Sequence, residues 1–181
     1  MAKNRIPDER DRLVASLAAS LPNSGGDYQV SSAFSSSARR RFLGVWTVVE
    51  HTVDGQAFVE SFAASALHGA TLMEPSYSAT YDFREAICVK RVLVSGLIDL
   101  EDGRTEYSYR MSVAISWELG RGSLTVRPEL GYQTTSLGGK PAAVKEFGSS
   151  GEKNRIRCRF DGEFLILEEA QDVKRLKRGI E

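Results

Sequence analysis

Histidine, cysteine and long apolar runs are the scarcest features of this chain, and each scarcity closes a class of function. Only two histidines, His51 and His68, occur in 181 residues. Neither has a cysteine or an acid at ligand spacing, which argues against a metal centre. The two cysteines, Cys88 and Cys158, are far apart and form no CxxC pattern, so neither a zinc site nor a disulfide framework is indicated. A single bridge between them stays open. No apolar run approaches the roughly 20 residues that span a bilayer. "LVASLAASL" (13–21) is diluted by Ala and Ser, and the acids of the preceding "DERDR" spoil a secretory n-region, so a cytoplasmic location is expected. Charge of one sign is missing too: Lys plus Arg and Asp plus Glu are 24 each. Such a balance supplies no global field to draw the chain onto nucleic acid or an anionic membrane. Gly-x-Ser-x-Gly, P-loop and dinucleotide fingerprints are absent, no cofactor is implied, and "SLGGKPAA" (136–143) reads as a flexible loop.

What remains is a chain 41% hydrophobic and 27% charged, the profile of one globular domain with a sizeable core. Residues 1–40 stand apart. Pro7, Asp8 and Glu9 suit a helix start, and Leu13, Val14, Leu17 and Leu21 recur at helical spacing. Pro22 to Gly26 end that helix, and a Ser/Gly-rich tether follows to Ser37. Residues 41–181 alternate with period two. Thr105, Tyr107, Tyr109, Met111, Val113, Ile115 and Trp117 share one face of a long strand, with polar residues between them. Asp102-Gly103 before it and Asp161-Gly162 later are hairpin signals. Eight or nine such strands, joined by short turns in sequence order, predict a mainly β fold: an up-and-down antiparallel barrel. Phe58 to Leu67, "FVESFAASAL", predicts a short helix after the first strand.

The stretch "RRFLGVWTVV" (40–49) resembles the Gly-x-Trp motif that opens the first strand of lipocalins and the wider calycin group. The resemblance extends loosely over 39–178, through "SATYDF", "DGRTEYSY", "ISWELGRGSLTVRP" and a closing "VKRLKRG". It implies a barrel in which Gly44 allows close approach and Trp46 plugs the closed end. It further implies a terminal basic residue over that tryptophan, Arg178 first and Arg175 second.

Barrel strands alternate inward and outward. With Trp46 inward, Val48 and Glu50 should follow, and Tyr107, Tyr109 and Met111 should line the lumen from the long strand. Tyr132, after Pro128, joins them as the last expected ligand contact. A carboxylate inside a barrel has a raised pKa and suits acid–base work, so Glu50, Tyr107 and Tyr109 are the catalytic candidates. Strand twist or a bulge readily puts Glu50 at the rim, however, and a solvated or salt-bridged Glu50 is the favoured reading. Arg155, Arg157 and Arg159, and Lys174 to Arg178, lie among Glu163, Glu168, Glu169 and Asp172, which favours cross-strand charge pairs over a phosphate patch. The expected function is binding of a small apolar or amphipathic molecule in the lumen. The alternatives are a cyclase or isomerase for polyketide-like substrates, lidded by the N-terminal segment, and a protein-interaction module. A homodimer or other protein partner is left open.

Overall fold

Alternation and turn glycines close the chain into a ring. The computed structural model describes residues 32–67 and 70–179. Helix α1 (Ser32–Phe42) leads into β1 (Gly44–Val53), the two-residue β2 (Gln56–Ala57) and helix α2 (Phe58–Ala66). There follow β3 (Met73–Phe83), β4 (Ile87–Leu100), β5 (Gly103–Gly120), β6 (Ser123–Leu137), β7 (Lys140–Gly148), β8 (Asn154–Asp161), β9 (Phe164–Glu169) and β10 (Asp172–Arg178). The strands pair in the order β10-β9-β8-β6-β5-β4-β3-β1, and β1 pairs back onto β10. The result is a closed antiparallel barrel of eight strands. β2 and β7 lie off the ring.

Two elements differ from the sequence reading. The last part of the expected tether is helical, because α1 begins at Ser32. "SLGGKPAA" is no loop: Gly138 (φ 56°) and Gly139 (φ 77°) form a tight turn, and Lys140 pairs back on Leu137 to start β7. Positive φ at two successive residues is what a hairpin turn demands and what glycine supplies. Helix α2 forms where Phe58 to Leu67 predicted one. The helix and tether read over residues 1–31 lie outside the described residues.

The junction of α1 and β1 explains the Gly-x-Trp stretch. Arg39, Arg40 and Arg41 occupy the last turn of α1, where cations complement the helix dipole. The end carbonyls of that helix need donors. Trp46 Nε1 donates to Phe42 O at 2.7 Å, and Arg178 donates to Arg41 O at 2.6 Å. Gly44 turns the chain between helix and strand at φ 108°, a value that a side chain resists. Arginines cover three rings here: Arg178 lies 4.9 Å from the Trp46 centroid, Arg39 4.6 Å from Trp117 and Arg41 4.0 Å from Phe160. Phe42 packs edge-on to Phe83 and Phe160 beneath them. This end of the barrel is shut.

Candidate functional site

Two β-bulges decide what faces the lumen. In β1 the register with β10 slips between Val48 and Glu50. One extra residue reverses every side chain beyond it. Trp46 and Val48 point inward as expected and are buried. After the bulge His51, opposite Lys174, takes the inward position. Glu50 is thrown outward instead, its side chain 63% exposed and 4.0 Å from Arg175. Plain alternation would have put Glu50 in the lumen, and the bulge instead leaves it solvated beside Arg175, as the favoured reading of this carboxylate expects.

The second bulge lies in β6, between its partners to Ala114 and Ile115. Leu124, Val126 and Pro128 face inward before it. Glu129 is the extra residue, anchored by Ser116 Oγ at 2.6 Å and Arg127 at 2.7 Å. Beyond it the inward positions are Gly131 and Gln133, and Gln133 accepts a hydrogen bond from Tyr109 at 3.3 Å. Tyr132 therefore leaves the expected binding set for a small outer cluster with Ile87, Val89 and Ala114.

The lumen holds a cavity of about 280 Å³. Met111, Val113, Ile115, Leu124, Val126 and Leu167 form its apolar wall, and Lys90, Lys174, Asp172 and Glu169 its polar side. Of the expected contacts, Met111 reaches this cavity. Trp46 and Val48 fill the core, whereas Tyr107 and Tyr109 pack against Phe62 of α2, with ring centroids at 6.4 and 5.1 Å. Helix α2 thus closes the second mouth of the barrel: Phe58 stacks flat on His51 at 4.2 Å and meets Tyr77 at 4.9 Å. The way in is lateral. β6 pairs with β8 only from Ser123 to Val126, then leaves to pair with β7. Pro128, Phe147 and Asn154 line the cavity where the two strands part.

Asp172 is the polar hub. It binds Lys174 and accepts from His51 Nε2 at 2.8 Å. A carboxylate can only accept, so Nε2 carries a proton, and in the neutral ring Nδ1 accepts the Tyr77 hydroxyl at 2.7 Å. Burial opposes ionisation of Asp172, but hydrogen bonds from His51 and Lys174 outweigh it and bring its pKa to about 2. Burial, and then the Asp172 charge, raises the Tyr77 hydroxyl. Phe58 covers this chain, so its protons serve structure. The network predicts an acid limb. A folded pKa below the unfolded value gives stability that is present above about pH 4 and lost as pH falls toward 2. Asp172→Asn should flatten that slope, which denaturant unfolding across this range measures.

Lys90 differs from Lys174. It shares the inward face of β4 with Cys88, Val92 and Val94 and points at the Tyr81 ring, 5.7 Å away. Among the described residues no carboxylate lies within ion-pair distance of it. Burial, reinforced by the like charge of Lys174 and only partly offset by the charges of Asp172 and Glu169, lowers its pKa to about 8. A lysine on the otherwise apolar face of Cys88, Val92 and Val94 is the sequence signal that marks this position.

Cys88 and Cys158 are free and buried, and burial raises both thiols, Cys158 to about 11. They are poor nucleophiles. The outer-face charge pairs expected near the C-terminus are present as Arg159–Glu168 at 3.4 Å and Lys177–Glu163 at 3.1 Å. Arg175 lies 3.9 Å from the Phe164 ring, away from Trp46. No group of His, Cys, Asp and Glu among the described residues could hold a metal ion, and His68 lies outside them. No described helix is long and apolar enough to cross a membrane. Comparison with protein-family models, with curated proteins and with solved structures gives no match to this chain.

Proposed function

We propose that this chain is a lipocalin-like cytoplasmic binding protein whose lumen takes a small amphipathic anion. The carrying observation is Lys90: a cation on the lumen wall with no carboxylate within ion-pair distance, Asp172 and Glu169 of the same wall acting on it from farther off. Lys174 needs no ligand, because Asp172 already neutralises it. An acid group on Lys90 would replace lost water with a charge-assisted hydrogen bond. The apolar part would lie against Met111, Val113, Leu124 and Leu167. A cavity of about 280 Å³ suits a short acyl chain or a single substituted ring. The ligand enters between β6 and β8, past Phe147, while Trp46 and α2 keep the two barrel ends shut. The two unpaired thiols fit a reducing compartment.

The test compares octanoate with octanol by titration calorimetry. Octanoate should bind at least about tenfold more tightly, the difference that one charge-assisted hydrogen bond supplies. Lys90→Met should remove that preference while octanol binding persists. Equal binding of acid and alcohol, or an unchanged preference in the variant, would overturn the reading.

A further inference from the structure

The outer face of the barrel carries a second concavity, separate from the lumen. β3, β4, β5 and β6 are long, and their outward residues line a groove of about 850 Å³. Its floor is polar. Cross-strand register sets Thr80, Arg91, Ser112 and Tyr132 in one row and Ser78, Leu93, Arg110 and Thr134 in the next.

Arg91 and Arg110 are thus diagonal neighbours on adjacent strands. Such positions lie about 7–8 Å apart at the backbone, within mutual reach of two long side chains. Like charges so placed repel, and the usual remedy is a carboxylate between them. Other arginines have one: Arg84 with Asp82, Arg127 with Glu129 and Arg159 with Glu168. Arg91 and Arg110 are half-buried, yet neither has an ion pair or hydrogen bond among the described residues. A second observation marks the same spot. Ser112, directly opposite Arg91, is 2% exposed, and its Oγ has no hydrogen-bond partner. A buried hydroxyl left unmatched is costly in a finished surface and useful in an unfilled site.

We propose that this groove binds a polar molecule bearing a phosphoryl or sulfuryl group, with the oxyanion held between Arg91 and Arg110 over Ser112. Two guanidinium forks supply planar, paired donors matched to tetrahedral oxyanions, and the serine hydroxyl supplies a third donor from the floor. The other end of the groove carries Glu74 and Glu106, which repel a second anion and accept hydrogen bonds from hydroxyls. The rest of the ligand is therefore polyhydroxylated rather than apolar, unlike the occupant of the lumen.

The full chain, titrated separately with inorganic phosphate, inorganic sulfate, a hexose monophosphate and the free hexose, should show saturable shifts of the Arg91, Arg110 and Ser112 amides in NMR spectra. The hexose monophosphate should bind more tightly than phosphate, and the free hexose should not bind. The tighter of phosphate and sulfate names the group. Arg91→Met and Arg110→Met should each weaken binding by about tenfold or more, with thermal unfolding as the check that the barrel persists. Arg110→Lys, which keeps the charge but loses the fork, should fall between. Lys90→Met should leave this binding intact, which separates the groove from the lumen. Absence of saturable phosphate and sulfate binding, or full affinity in either methionine variant, would overturn the proposal.

Discussion

Replacing Trp46 by alanine should destabilise the protein by about 3–5 kcal/mol, measured by denaturant unfolding at neutral pH. The ring is 3% exposed and touches three elements at once. Its Nε1 satisfies the Phe42 carbonyl, its face carries the Arg178 guanidinium and its centroid lies 6.0 Å from that of the tilted Phe160 ring. Truncation opens a cavity where β1, β8 and β10 meet, and removes the donor that ends α1. The Arg178 charge then loses its ring and keeps the Arg41 carbonyl. Arg178→Met is the companion measurement. It keeps part of the stem but removes the charge and the donor to Arg41 O, and should cost about 1–3 kcal/mol, a cation–π contact plus one exposed hydrogen bond. A loss below about 1 kcal/mol for Trp46→Ala would mean that the closed end is held by Phe42 and Phe83 instead.

The comparison of these two variants separates what the sequence made legible from what it hid. The long strand β5 was readable because nothing interrupts its count: Tyr107 to Trp117 keep one face throughout. Trp46 and Val48 were readable for the same reason, and the count failed one residue later. A bulge has no local composition of its own, so no residue near Val49 announced that His51 would replace Glu50 inside. Glu129 did the same to Tyr132. Of its stabilising partners, Arg127 lies two residues back on the same strand, whereas Ser116 comes from β5 and can be matched only once the register is known. Both departures from plain alternation therefore have one cause, a period of two that lost its phase.

The polar side of the lumen was hidden for another reason. His51, Tyr77, Asp172 and Lys174 belong to β1, β3 and β10, and β1 meets β10 only when the barrel closes. The contact joins positions 121 residues apart, beyond the reach of any local pattern. Lys174 consequently read as one cation in a wet basic run. Parity alone could have corrected that, because Lys174 and Leu176 share a face and Leu176 has no exposed surface.

Lys90→Met should raise stability at neutral pH by on the order of 2–3 kcal/mol, the scale of its pKa shift reduced by the water that reaches it through the slit. The sign follows from the two protonation states. Unfolded lysine titrates near 10.5 and the folded one near 8. Below about pH 8 both states carry the charge, and the folded state bears its full desolvation cost. Between the two values only the unfolded state stays protonated, so stability rises with pH across that window. Methionine fills the volume of the lysine stem and carries no charge, so the variant should start higher and lack this rise. The buried thiols, and at higher pH the buried tyrosines, act with the opposite sign in parent and variant alike. The lysine's contribution is therefore read as the difference in stability between the two at several pH values between about 7 and 9.5. The same substitution is expected to abolish the preference for octanoate. A variant that is more stable and binds no acid would show a residue trading stability for a ligand, the behaviour expected of a functional site rather than of a filled core. A variant with unchanged stability and the parental pH profile would place the ammonium in bulk water, and the lumen would then have no cation to offer an anion.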